Sequence, residues 1–311
     1  MTSNGGWRSK VRYRQRVIGR LLVGLALALA IAYTLVPSAR AFTLVRRATG
    51  ADDIPGAVAG LAVEDVSFSA ADGVGLSGWL IRASDATATV VLTHGFKTNR
   101  TEMLPWAAFL HAAGYDVLLF DSRGCGRSEG TPGLGVTEPR DITGAVSFVK
   151  GHGGAAGRRV AVLGISLGAG AAILAAAGDP DISGVVADSP WADEHVQIEH
   201  MRSISIAGLS VPLLPYELPL VDRLIGGSLE SAAPRAVVER VAPRPLLLIR
   251  GADDDNATTT LADSEALYSA AGEPKALWIV HGAGHAGALM TDGEEYRVRV
   301  LRFLQAVTQA R

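Results

Sequence analysis

The stretch GISLG, Gly164 to Gly168, holds a serine between two glycines, after an apolar run and before an alanine-rich one. A serine hydroxyl attacks a carbonyl only with help. It needs a base to take its proton, a group to orient that base, and donors for the oxyanion that forms. G-x-S-x-G is the pattern of a nucleophile elbow, a tight turn from strand into helix. Such a turn requires φ > 0 near the serine and small neighbours, which Gly164 and Gly168 supply. The pattern occurs again as GRSEG, around Ser128. With 36 glycines in 311 residues a chance match is unsurprising, so context must choose. GISLG ends a predicted strand and opens a predicted helix. GRSEG runs into TPGLG, which cannot start a helix. Ser166 is therefore the expected nucleophile, and Ser128 a loop residue. The N–H of Leu167, next in the chain, is one expected oxyanion donor.

In a site of this kind the acid and then the histidine follow the serine along the chain. LWIVHGAGHAG offers His281, abutting a predicted strand, and His285, in the glycine-rich loop beyond it. A loop position can reach the elbow, so His285 is the expected base and His281 a packed residue at the strand end. Two places could supply the acid. GADDDN presents Asp253, Asp254 and Asp255 after the run LLLIR, and VVADSP presents Asp188 after an earlier run. A second oxyanion donor is expected from HGF, which follows TATVVLT: the backbone N–H of Phe96. His94 beside it reads as a structural hydrogen-bonding residue.

These side chains need a rigid frame. VEDVSFSA and GLSGWLI alternate in polarity and predict an antiparallel pair around ADGVG. Thereafter short apolar runs alternate with helical patterns. The predicted strands are TATVVLTHG, YDVLLFD, RRVAVLGIS, ISGVVADS, RPLLLIRG and KALWIVHG. Continuous Val, Leu and Ile in such runs imply a largely parallel sheet covered by helices on both faces. Residues 192–227 break the rhythm with a Pro-, Leu- and Val-rich insertion. Its length suits a lid over a site, and two ordinary packing helices are the plainer alternative.

The motifs LTHGFKTNRTEM, LLFDSRGCGRSEG, VLGISLGAGAA, LLLIRGADD and HGAGHAGA stand in the order and spacing of the α/β-hydrolase superfamily. The chain resembles most the bacterial Bem46-like and serine-aminopeptidase-type members, some of them membrane-anchored, from about residue 63 onward. The resemblance implies an α/β-hydrolase fold, a structural role for the loop bearing Ser128, and no metal or organic cofactor. It also implies an acid three residues after the glycine of H-G-x-x-D. Arg250 replaces that histidine, and Gly251 plus three gives Asp254, with Asp188 kept as the alternative.

The first forty residues differ from the rest. A basic flank, residues 1–16, precedes an apolar run at 17–36 of the length needed to cross a bilayer core. The span 17–37 reads as a transmembrane anchor, with the alternative of a signal peptide cleaved after Ala39-x-Ala41 and a secreted product. Either way the basic flank stays cytoplasmic and the remainder lies outside. Residues 38–60 read as a linker and 61–311 as the hydrolase domain. A net charge of −2, with no basic stretch carrying interleaved aromatics, argues against nucleic acid. Cys125, the sole cysteine, excludes intramolecular disulfides and cysteine-rich zinc sites. The expected activity is hydrolysis of a small-molecule ester, thioester or amide through an acyl-enzyme. The alternative is an idle hydrolase fold serving as a membrane-tethered binding module.

Overall fold

A computed structural model describes residues 5–47, 58, 60–152, 158–193, 203–206, 208–212, 217–256 and 258–309. Eight strands form one sheet in the order β1-β2-β4-β3-β5-β6-β9-β10. They are β1 (Glu64–Ser69), β2 (Gly75–Ile81), β3 (Ala88–Thr93), β4 (Asp116–Phe120), β5 (Arg159–Ile165), β6 (Ile182–Asp188), β9 (Leu246–Gly251) and β10 (Lys275–Val280). The first two pair antiparallel, as the alternating pattern predicts, and β2 is antiparallel to β4. Every other pairing in this sheet is parallel.

The unbroken apolar runs have a direct explanation, because both faces of the central strands are buried. Val91, Val162, Val185 and Leu248 face one layer, formed with α3 (Glu138–Gly151), α4 (Leu167–Gly178) and α6 (Leu261–Ala270). Their sequence neighbours Leu92, Leu163, Val186 and Ile249 face the other, formed with α2 (Leu104–Ala112) and α7 (Gly293–Gln309). Each fully buried aliphatic side chain stabilises the fold by about 1.5–3 kcal/mol as an upper figure. The sheet is therefore the stiffest part of the molecule, and the loops at the carboxyl ends of its strands inherit that stiffness.

Between β6 and β9 the chain leaves the sheet, as expected of an insertion. Its described parts are a hairpin, β7 (Ser203–Ile206) with β8 (Leu209–Pro212), and the helix α5 (Glu217–Ile225). The alternative of two packing helices fails, since a hairpin occupies part of the segment. Residues 194–202, 207 and 213–216 lie outside the described residues.

The N-terminal helix α1 runs Gly5–Val45 and passes through Pro37 without ending. Residues 38–45 are therefore helix rather than linker; most of the remaining linker, 48–57 and 59, lies outside the described residues. The register explains the extension. Residues 18–36 are exposed without a break, but Pro37, Ala41 and Val45 are buried. That i, i+4, i+8 spacing makes one stripe on the helix. Ala41 and Val45 pack on Leu218, Val221 and Ile225 of α5, with Leu134 and Leu229 closing the cluster. Arg40 pairs with Glu217 at 3.6 Å. Burial pushes the Glu217 carboxyl up, and the Arg40 charge offsets it. Tertiary contact, not helix propensity, carries the helix past its proline.

Candidate active site

Ser166 joins β5 to α4 with φ 52° and ψ −119°, a conformation that costs a non-glycine residue roughly 1–3 kcal/mol. The surroundings impose it. Ser166 N–H donates to the carbonyl of Asp188 at 2.9 Å. An added Cβ at Gly168 would stand 2.6 Å from the carbonyl oxygens of both Thr93 and His94, and one at Gly164 would strike the backbone of Gly168. Only glycines let α4 approach β5 and the end of β3 this closely. The result presents the serine at the N-terminus of a twelve-residue helix, whose dipole favours developing negative charge.

His285 lies in the loop after β10. Its Nε2 is 2.8 Å from Ser166 Oγ, and its Nδ1 is 2.9 Å from Asp254 Oδ2. With the proton on Nδ1, the ring donates to the carboxylate and accepts from the serine hydroxyl, the arrangement needed for general-base action. Thr259 Oγ1 stands 3.1 Å from the same Nδ1. Asp254 follows β9 and its side chain is wholly buried. Its Oδ1 accepts from the Asn256 N–H at 2.9 Å, and Arg250 Nη1 is 2.8 Å from its Oδ2. That last contact is off the hydrogen-bonding direction and acts as a charge contact. The guanidinium and the carboxylate are thus buried side by side. Asp253 and Asp255, on either side, are exposed, and so is His281. The expectation that His281 is packed is corrected here: the strand end where it sits is open to solvent.

Asp188 is placed otherwise. It is fully buried, accepting from Tyr296 Oη at 3.1 Å and from Ser189 Oγ at 3.2 Å. Tyr296 Oη in turn accepts from Trp106 Nε1 at 2.9 Å. Burial pushes the Asp188 carboxyl up to about 7. Its oxygens are thus engaged away from His285, and the structure brings Asp254, not Asp188, to the imidazole.

The HGF loop lies against the serine. An added Cβ on Gly95 would be 3.5 Å from Ser166 Cβ. Gly95 is clamped at both ends: its N–H donates to Glu102 Oε2 at 2.9 Å, and its carbonyl accepts from His94 Nδ1 at 2.8 Å. His94 Nε2 accepts the Ser122 N–H at 3.0 Å, and burial holds its pKa down, so the ring is a neutral structural bridge. Among the described residues the N–H groups of Phe96 and Leu167 have no partner. Two free donors beside a serine at a helix N-terminus can hold an oxyanion. Ser128 is buried in its loop, accepting from Ser77 N–H at 3.0 Å and donating to the Asp121 carbonyl at 2.6 Å.

Residues 84–220 match the family described as serine aminopeptidase, S33. The uncharacterized protein YfhR of Escherichia coli (strain K12) is 32% identical over 251 residues, covering 78% of this chain and 80% of that protein. The chain belongs to this α/β-hydrolase family. Uncharacterized protein Rv2307c of Mycobacterium tuberculosis is 30% identical over 77% of the chain and 78% of its own length. Among solved structures, the Pyrococcus furiosus esterase Pf2001 superposes with a TM-score of 0.65 at 26% identity, over 84% of this chain and 97% of that one.

In this S33-type hydrolase three residues of the site escaped the sequence reading: Thr259, Glu102 and, as a partner rather than a replacement, Arg250. Arg250 stands four residues before Asp254 at a strand end, a spacing that could have flagged the pair. Glu102 and Thr259 carry no such signal, since they reach the site only through the folding of their loops.

Proposed function

We propose that this hydrolase cleaves an acyl ester or thioester by way of an acyl-enzyme, with Ser166 as nucleophile, His285 as general base and acid, and Asp254 as the group that orients the imidazole. The observation that carries the reading is the unbroken chain Ser166 Oγ, His285 Nε2, His285 Nδ1, Asp254 Oδ2, with links of 2.8 and 2.9 Å. Ser166 attacks the carbonyl carbon as His285 takes its proton. The oxyanion is held by the N–H groups of Phe96 and Leu167. His285 then returns the proton to the leaving alcohol or thiol, and water repeats the cycle to release the acid. The esterase among the structural neighbours favours esters over peptides. An idle fold is disfavoured because the strained serine is maintained at a cost that a mere scaffold has no use for. A fluorophosphonate probe should label the purified protein at Ser166, located by peptide mass spectrometry, and the same protein should hydrolyse p-nitrophenyl esters. Labelling confined to another residue would sink the assignment.

The protein is further read as a single-pass membrane protein with its hydrolase domain outside the cytoplasm. Among the described residues α1 is long and apolar enough to cross a membrane, and it lies near the N-terminus. Retention is favoured over cleavage because Ala41, at the candidate cleavage site, is fully buried in the cluster with α5. Mass spectrometry of the mature chain is expected to find the residues of α1 still attached. A mature terminus at Phe42 would overturn the anchor.

A further inference from the structure

One helix carries both the candidate membrane span and a contact with the loop that bears Phe96. In α1, exposure on all sides ends at Val36 and the docked stripe begins at Pro37. A helix apolar all round and unpacked belongs in lipid, so Val36 marks the outer edge of the hydrocarbon. Seven residues further, about 10 Å along the axis, the Thr43 carbonyl accepts from Lys97 Nζ. Lys97 directly follows Phe96, whose N–H is the oxyanion donor, and its ammonium lies 5.2 Å from the Phe96 ring centroid. Arg47 reaches the neighbouring loop, donating to the carbonyls of Gly126 at 2.6 Å and Ser128 at 2.9 Å. The oxyanion loop is thus tied, through the Lys97 side chain, to a point about 10 Å along α1 from the hydrocarbon edge. A lipid headgroup layer is itself roughly 5–7 Å thick, from a core of about 30 Å in a bilayer of about 40–45 Å.

The chemistry at that level suits an amphiphile. Beside the end of α1 lies an open hollow of about 550 Å³ lined by Phe42, Thr43, Val45, Arg46, Thr131 and Leu224. Phe42 and Phe96 are exposed, 55% and 38%. Arg46 is exposed as well and stands close enough to Lys97 that its charge, added to burial, holds the ammonium's pKa down. Arg46, which lines this hollow, supplies a cation at headgroup depth, where anionic lipid groups lie.

We propose that the substrate is a glycerophospholipid of the leaflet into which α1 is inserted, drawn up by one headgroup's height so that an acyl ester meets Ser166. This rests on the serine-hydrolase reading and on the anchor. In the reaction Ser166 Oγ bonds to the acyl carbon and the ester C–O bond breaks. The lysolipid alcohol leaves with the proton from His285, and water then releases the fatty acid and restores the serine.

The test lifts the domain without touching the site. Ten residues of helical linker inserted between Val36 and Pro37 raise it by about 15 Å while leaving the docked stripe intact. Full-length protein and this variant are reconstituted into vesicles of equal parts phosphatidylcholine and phosphatidylglycerol, and fatty acid release is measured beside the rate of fluorophosphonate labelling. Expected is lipid hydrolysis by the natural chain, a loss of at least tenfold in the variant, and labelling rates that agree within twofold. Should the helical insert slow labelling, a Gly-Ser insert of equal length replaces it. Labelling without fatty acid release, or release indifferent to the insert, overturns the lipid proposal while leaving the serine hydrolase standing. Absence of labelling in the natural chain overturns both.

Discussion

Ser166→Ala is expected to lower kcat for any acyl ester by about 10⁶ and to abolish fluorophosphonate labelling, with the fold unchanged. The magnitude follows from the roles. Without the hydroxyl no acyl-enzyme forms, and what remains is the effect of the oxyanion donors and of substrate binding alone. Alanine adds no atoms at a crowded turn, and it keeps the backbone N–H that donates to Asp188. The control is Ser128→Ala, in the other G-x-S-x-G. Its hydroxyl is buried between the Ser77 N–H and the Asp121 carbonyl, so its removal strands two polar groups at about 1–3 kcal/mol each. Stability should fall while kcat of the folded fraction stays near the natural value. Circular dichroism melts beside kinetics separate the two outcomes, and an exchange of the two phenotypes would refute the assignment of nucleophile.

Asp254→Asn should cost about 10⁴ in kcat, because an amide in place of the carboxylate no longer fixes the Nδ1–H tautomer or stabilises the imidazolium. KM should change little, since the side chain is buried behind the histidine and makes no contact with substrate space. Asp188→Asn should cost tenfold or less, as an amide still fits between Tyr296 and Ser189. The second substitution has its own signature in stability. A carboxyl raised from 3.8 to about 7 binds a proton in the folded state that the unfolded chain gives up, so its contribution falls as pH rises from about 4 to about 7. Asp188→Asn should flatten that part of the pH–stability profile. A crippled Asp188→Asn enzyme beside a mild Asp254→Asn one would move the acid to β6.

The distinction between these two aspartates shows where sequence reading stops. The elbow was legible because its chemistry is local: five consecutive residues encode the strand end, the turn and the helix start. His285 and Asp254 were legible because parallel strands bring their carboxyl ends to one edge, so order along the chain becomes position in space. The Trp106–Tyr296–Asp188 chain was not legible, since its first two members are 190 residues apart and meet across the layer on one face of the sheet. The extension of α1 through Pro37 was hidden for a related reason. A proline announces a break only when nothing holds the next turn, and here α5 holds it. The hairpin of the insertion was missed because four-residue strands leave too few residues for an alternation to show.

The end of β6 has a consequence for how accurately the reacting groups are held. Ser166 takes its backbone bond from Asp188, and the loop bearing His285 is hooked next door, where the Ala286 N–H donates to Ser189 Oγ at 3.0 Å. Ser189 is itself tied to the central sheet through the Ile249 carbonyl. Ser166 and the His285 loop therefore share a single datum, the adjacent residues Asp188 and Ser189 at the end of one buried strand. A displacement of that strand carries both groups together, so errors of position cancel in the distance between them instead of accumulating along two independent paths.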